Sequence, residues 1–213
     1  PFKEWSKGEL DFKQIRQIRI EDLLERKEIH LSTDKISEEL DGKVVLITGA
    51  AGSIGSEIAR QVLKFNLRKL ILVDQGETPL YELNNELNQL KSSVEFETVI
   101  GDVRNRSRMS NAFSAFKPNV VFHAAAYKHV PLMEQNPSEA ILTNVLGTQN
   151  IADLCGEHKV SKMVYISTDK AVNPSSIMGA SKRIGEIYIQ ALNDKLAQDG
   201  QACKYVTTRF GNV

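Results

Sequence analysis

The chain is poor in the features that mark several large classes of protein. It has two cysteines in 213 residues, Cys155 and Cys203, in unrelated segments and without metal-ligand spacing. No disulfide framework is suggested, no metal site is expected, and the two read as reduced, semi-buried thiols of a cytosolic compartment. There is no excess of charge either, since 27 basic side chains balance 27 acidic ones. Without a basic field, nucleic acid is not an expected partner, although local basic residues remain available to a phosphate-bearing small molecule. No apolar run approaches the length of a membrane span. No signal peptide is visible, and there are no repeats or low-complexity tracts. The chain opens at Pro1 without a methionine and closes straight after an apparent strand, so both ends read as cut and a longer parent protein is expected.

What the chain does have is Thr48-Gly49-Ala50-Ala51-Gly52-Ser53-Ile54-Gly55. The apolar run Lys43-Val44-Val45-Leu46-Ile47 before it reads as a buried parallel strand. The segment Ser56–Leu63 after it spaces its apolar residues as a helix. Strand, glycine turn and helix together make the context of a dinucleotide fingerprint. Gly49 suits the tight turn, Gly52 the approach of a pyrophosphate, and Gly55 close packing of helix on strand. Ser53 and Ile54 open the helix, whose free N–H groups and partial positive charge favour phosphate. Leu70-Ile71-Leu72-Val73 reads as the next strand. Asp74 at its end stands where a carboxylate takes ribose hydroxyls, with a helix cap or loop residue as the plain alternative. That acid favours NAD over NADP, unless Arg104 or Arg106 reaches a 2′-phosphate there. A P-loop is excluded, because no Lys-Ser/Thr pair follows the last glycine.

Residues 1–42 read as a polar linker or helical arm, with short helical pieces at Ile20–Leu24 and Ser37–Leu40. From 43 to 213 strands and helices alternate. Strands are expected near 43–48, 69–74, 94–100, 119–124, 162–167 and 203–209, and helices near 53–65, 78–91, 105–116, 136–158 and 178–198. This rhythm predicts an α/β, doubly wound, mostly parallel sheet of Rossmann type in the order 3-2-1-4-5-6. Ligands of such a sheet sit beyond the carboxyl ends of the strands. Those ends carry the glycine turn, Asp74, Asp102-Val103, the small residues Ala124-Ala125-Ala126, and Ser167-Thr168-Asp169-Lys170. Asp102 suits an adenine amino group or, equally, the N-cap of the next helix. His123, inside a strand, reads as a satisfied interior residue, and Tyr127 and Tyr165 as packing residues.

The last of these strand ends faces Met178-Gly179-Ala180-Ser181-Lys182, which opens a helix. A hydroxyl, a carboxylate and two ammonium groups thus converge at the mouth of the sheet. Together with His123–Pro131 and Thr143-Asn144-Val145-Leu146-Gly147-Thr148, these motifs resemble the extended short-chain dehydrogenases/reductases. Within them the chain is similar to the nucleotide-sugar 4,6-dehydratases of capsular polysaccharide biosynthesis that act on UDP-N-acetylglucosamine, from about residue 20 to 213. The resemblance implies transient oxidation of sugar carbon 4 by bound NAD or NADP, loss of water across carbons 5 and 6, and return of the hydride. It implies Asp169 as acid, Lys170 as base, Thr168 on the carbon 4 hydroxyl, and Lys182 on the nicotinamide ribose. Asn144 supports the site, and Lys128, His129 and Asn212 contact substrate; a structural role for Lys128 and His129 in their loop is an equal alternative.

Lys170 serves as a base only where burial beside the cofactor and Lys182 lowers its pKa. Met178 stands where the superfamily has Tyr, and a thioether takes no proton. This substitution marks a subgroup. Thr168 with Asp169, an ordered water, or Tyr127 is then left to relay the carbon 4 proton. A nucleotide-sugar epimerase and a non-catalytic dinucleotide-binding module are the alternatives. The resemblance also implies a homo-oligomer and a uridine subsite beyond Val213, so that this chain is expected to bind cofactor and turn over poorly. The domain is expected on the cytoplasmic side, its parent protein anchored to the inner membrane only by segments outside this chain.

Overall fold

The computed structural model describes residues 33–90, 92–199 and 203–211. Most of the arm, the expected helical piece at residues 20–24, and Asn212 lie outside the described residues. Contacts divide the chain into residues 1–35 and 36–213, and the second unit carries the sheet.

The elements are α1 (Thr33–Leu40), β1 (Val44–Thr48), α2 (Ser53–Val62), β2 (Lys69–Asp74), α3 (Glu77–Gln89), β3 (Phe96–Ile100), α4 (Arg106–Phe116) and β4 (Val120–His123). There follow α5 (Val130–Gln135), α6 (Pro137–Ala140), a π turn (Ile141–Gly147), α7 (Thr148–Glu157), β5 (Lys162–Thr168), a 3-10 turn (Asp169–Ala171), α8 (Ile177–Asp199) and β6 (Lys204–Phe210). The strands form one sheet in the order β3-β2-β1-β4-β5-β6, and every pairing is parallel. The expected doubly wound Rossmann-like sheet is therefore the fold.

The period of two along each strand explains the layers. Val44 and Leu46 of β1 point to one face, where they meet Met109 and Phe113 of α4 and Ile151 and Leu154 of α7. Val45 and Ile47 point to the other, against Ala59 and Val62 of α2 and Leu80, Leu83 and Leu87 of α3. With both faces covered, β1 is buried at every position, as parallel strands require. Cys155 and Cys203 are buried in the first of these layers, not semi-buried. Burial pushes both thiols up, Cys203 to about 11, so neither is a ready nucleophile.

The segment expected as one helix over 136–158 is helical from Pro137 to Glu157, with one irregularity inside it and a separate short helix before it. Pro131 lies in the first turn of α5, a position that needs no amide hydrogen. Asn136 then leaves helical geometry at φ −132°, ψ 60°, and Pro137 restarts the chain in α6. The helix widens into the π turn before α7 resumes. Both prolines are visible in the sequence; the wide turn depends on a tertiary contact of Asn144.

The glycine turn is fixed by close contact of backbones. Gly49 has φ +67°, and a Cβ there would lie 2.5 Å from the Ala125 amide nitrogen. A Cβ on Gly55 would lie 2.1 Å from the Gly49 carbonyl oxygen. No side chain can move aside at either contact. Gly55→Ala is expected to lower the free energy of unfolding by about 3 kcal/mol or to prevent folding. Urea unfolding followed by circular dichroism measures it, and a wild-type midpoint contradicts the packing argument.

Candidate active site

The carboxyl ends of β1 to β4 enclose a cleft of about 270 Å3 lined by Gly49, Ala51, Gly52, Asp74, Val103 and Tyr127 among others. Ala124, Ala125 and Ala126 form its floor beyond β4. Of the residues expected at a cofactor, Gly49, Gly52, Asp74, Val103 and the three alanines therefore line one cavity. Gly55 lies beneath it as the contact of α2 with the turn. Ser53 and Ile54 begin α2 just outside the lining, with Ser53 exposed. Asp74 does more than face the cleft. Its Oδ2 accepts from the Ala51 amide at 2.9 Å and its Oδ1 from the Gly76 amide at 2.9 Å, so the acid also holds the glycine turn in place.

Asp102 is not the N-cap of α4; Asn105 holds that place and its side chain accepts from the Arg108 amide. Asp102 is turned towards Arg104, whose guanidinium also pairs with Glu139. Burial works to raise the Asp102 carboxyl, but the side-chain and amide bonds from Arg104 outweigh it and hold it low. Arg106 is taken by Glu157 and Asp153. Both arginines weighed as partners of a 2′-phosphate are thus paired with carboxylates.

Lys128, exposed after β4, reaches the first turn of α2, its Nζ donating to Ser53 Oγ at 3.0 Å. This puts an ammonium beside the helix N-terminus under the glycine turn. His129 is exposed at the start of α5, where its carbonyl accepts from the Met133 amide. Tyr127 both lines the cleft and packs against the small cluster of Met133, Ala140 and Met178.

Asn144, fully buried in the π turn, is the tie between these loops and α8. Its side chain accepts from the Tyr127 amide at 2.8 Å and donates to the Tyr127 carbonyl at 3.0 Å and to Ser181 Oγ at 2.9 Å. The widened turn is what brings that side chain inward.

His123 is interior, as its place in β4 suggested. Its Nδ1 lies 2.7 Å from Thr48 Oγ1 and its Nε2 3.0 Å from Thr148 Oγ1. Thr148 already donates its hydroxyl proton to the Asn144 carbonyl, so Nε2 must donate and Nδ1 must accept from Thr48. Burial, with the nearby charge of Lys182, lowers this imidazole to about 3.

At the end of β5, Thr168 Oγ1 donates to Asp169 Oδ1 at 2.9 Å, and Lys170 Nζ donates to the same oxygen at 3.3 Å. Hydroxyl and ammonium together hold the Asp169 carboxyl below the usual carboxylate range. Lys170, expected to act as a base only where burial beside the cofactor lowers its pKa, has a side chain 43% exposed. The buried amine is Lys182, whose Nζ donates to the Ile166 carbonyl at 2.6 Å and lies 4.2 Å from the centre of the Tyr165 ring. Burial lowers it to about 7, against the opposing charge of Glu186. Met178 is buried in the small apolar cluster with Met133 and Ala140.

Two residues escaped sequence reasoning. A Cβ on Gly179 would lie 2.3 Å from the Lys170 carbonyl, so only glycine lets α8 pass so near the 3-10 turn. Glu186, one helical turn beyond Lys182, is buried and accepts from Ser167, Arg183 and Arg209. The i, i+4 spacing from Lys182 to Glu186 was its available signal.

The family model for the polysaccharide biosynthesis proteins matches residues 45–213. The chain is 51% identical to a capsular polysaccharide biosynthesis protein, CapD, of Staphylococcus aureus, over 97% of its own length and 34% of that protein's. It is 38% identical to a UDP-N-acetylglucosamine 4,6-dehydratase (inverting) of Campylobacter jejuni, over 81% of this chain and 50% of that one. Among solved structures, a UDP-glucose 4-epimerase of Thermus thermophilus in complex with NAD superimposes with a TM-score of 0.64 at 27% identity, covering 78% of this chain and 54% of that one. The chain thus spans a third to about a half of the length of these relatives.

The buried imidazole gives a pH dependence with a definite sign. The folded form of His123 resists protonation, so stability is fully present above the ordinary histidine pKa and is lost as pH falls from 6.5 towards 3. Between pH 7 and pH 5 the protein is expected to lose roughly 2 kcal/mol of unfolding free energy that His123→Gln does not lose. Urea titrations at the two pH values measure the difference, and equal slopes for both proteins contradict it.

Proposed function

From the chain's membership of the polysaccharide biosynthesis protein family, within the extended short-chain dehydrogenases/reductases, we propose that the protein is a nucleotide-sugar 4,6-dehydratase acting on UDP-N-acetylglucosamine. The observation that carries the reading is the Asp169–Lys170 contact at 3.3 Å at the carboxyl end of β5, beside a cleft built for a dinucleotide. An epimerase needs no acid–base pair there, because it eliminates nothing.

The cleft fits NAD on its own geometry. Backbone takes the place of side chains at Gly49 and Gly55, which clears the turn for a pyrophosphate. Lys128 and Ser53 stand at the helix N-terminus to meet its charge, a favourable place for phosphate. Asp74 would take the adenosine ribose. Bound NAD supplies a hydride acceptor that returns the hydride later, so oxidation at sugar carbon 4 leaves no net redox change.

The chain's own residues then divide the proton work. Thr168 orients the carbon 4 hydroxyl, and Lys182 holds the nicotinamide ribose. Lys170 removes the proton of carbon 5, which the neighbouring ketone acidifies, while Asp169 protonates the departing carbon 6 hydroxyl. Exposed to water, the pair holds its shared proton on the wrong partner, with Asp169 ionised. Transfer of that proton from Lys170 to Asp169 gives an acid and an amine base without any change in total charge. Covering the pair with substrate favours this neutral form, because an ion pair loses more solvation than a neutral one. Met178 takes no part in proton transfer. The carbon 4 proton leaves through Thr168 to water, because Asp169 already carries the proton taken from Lys170, and Lys170 returns its captured proton to carbon 5 at the end.

Incubation of the longer parent protein with UDP-N-acetylglucosamine is expected to give a 4-keto-6-deoxy product, seen by mass spectrometry as loss of water. Asp169→Asn and Lys170→Ala are each expected to lower kcat by about a hundredfold or more with NAD affinity retained. Inversion at carbon 4 without loss of water would make the protein an epimerase. NAD binding by the longer parent protein with no product would make it a dinucleotide-binding module.

With Asp74 in the cleft and Arg104 and Arg106 committed elsewhere, NAD is expected to bind at least about tenfold more tightly than NADP, about 1.4 kcal/mol. Calorimetric titration with each cofactor measures the ratio, and equal affinities contradict the role given to Asp74.

A further inference from the structure

We propose that Glu186 is a positioning residue for this site: it fixes the strand end that carries Thr168-Asp169-Lys170 and stands as the buried counter-charge to Lys182. The proposal rests on the dehydratase reading of that strand end. Glu186 is 5% exposed. Its Oε1 accepts from Ser167 Oγ at 2.7 Å and from Arg209 Nε at 2.8 Å. Its Oε2 accepts from Arg209 Nη2 at 2.7 Å and from Arg183 Nη1 at 2.8 Å. One carboxylate therefore joins α8, the end of β5 and β6, where Ser167 and Arg209 are register partners.

Ser167 is the penultimate residue of β5, two before the turn that begins at Asp169, so a bond to its side chain fixes the strand end from which that turn leaves. Burying a carboxylate is costly unless all its oxygens are satisfied. Here four donors satisfy them. Burial works to raise the group, but the bonds from Arg209, Ser167 and Arg183 outweigh it and hold Glu186 at about 2. It is thus an anion throughout the working range.

Lys182 is placed to feel that charge. Among the titratable groups on the elements around it are His123 of β4, Tyr165 of β5, Asp169 and Lys170 of the 3-10 turn, Arg183 and Glu186 on its own helix, and Arg209 of β6. His123 is neutral near pH 7 and Arg183 is bonded to Glu186. Glu186 is the anion that acts against the burial of Lys182. Without it, two arginines would lose their partner and the lysine would lose its counter-charge, and both changes disfavour an ammonium.

Two near-isosteric variants separate the roles. Glu186→Gln keeps an acceptor for Ser167 and removes the charge. Ser167→Ala keeps the charge and removes the link to the turn. Lysine 13Cε NMR titration, with Lys182 assigned by Lys182→Arg, is expected to show its midpoint falling by about one pH unit in Glu186→Gln and unmoved in Ser167→Ala. Ser167→Ala is expected to lower kcat for keto-sugar formation about tenfold, with KM and NAD affinity within about twofold. An unmoved midpoint in Glu186→Gln overturns the counter-charge role, and wild-type kcat in Ser167→Ala overturns the positioning role. If the wild-type protein forms no keto sugar, the dehydratase reading fails, and the titration still decides what Glu186 does.

Discussion

Everything at this site depends on backbone touching backbone at the end of β1. Gly49 passes Ala124 and Ala125 so closely that a single methyl group would collide, and Gly55 presses on the Gly49 carbonyl in the same way. That contact sets the start of α2, and with it the place where a pyrophosphate can approach amide hydrogens. Asp74 tightens the arrangement by bonding the Ala51 amide from the neighbouring strand. The same carboxylate is thus a strut for the turn and a recognition group for ribose.

A second constraint is electrostatic. The two lysines near the proposed chemistry lie in opposite surroundings, Lys182 buried against Tyr165 and Lys170 half in solvent beside Asp169. A buried amine with a lowered pKa invites assignment as the base. Its geometry argues otherwise, because Lys182 spends its Nζ on the Ile166 carbonyl and its carboxylate neighbour Glu186 is an anion with no proton to give. Lys170 has the acid but not the burial. In the proposed mechanism the substrate supplies that burial, so the pair is switched by occupancy and stays inert in water.

Much of this was legible in the sequence. Apolar runs alternating with amphipathic segments gave the sheet and its order, because a parallel sheet buried on both faces leaves that pattern. Gly49, Gly52, Asp74 and Ala124–Ala126 were found by their place after strands, and they line one cleft. What escaped were properties of three-dimensional neighbours. The π turn at Asn144 follows from bonds to Tyr127 and Ser181, which lie 17 and 37 residues away in the chain. Asp102 suited an adenine amino group and a helix cap equally; Asn105 is the cap of α4, and Asp102 pairs with Arg104. Glu186 lies on a helix where one more charged residue looks like solvent-facing surface; only the approach of Ser167 and Arg209 reveals its burial.

In the proposed reaction, Asp169 and Lys170 eliminate water from a sugar whose carbon 4 is oxidised only in passing. UDP-N-acetylglucosamine deuterated at carbon 4 tests this most directly, with the product analysed by mass spectrometry and NMR. The deuterium is expected in the new methyl group at carbon 6, and Lys170→Ala is expected to transfer none. Deuterium that stays at carbon 4, with the carbon 6 hydroxyl intact, would contradict the proposal.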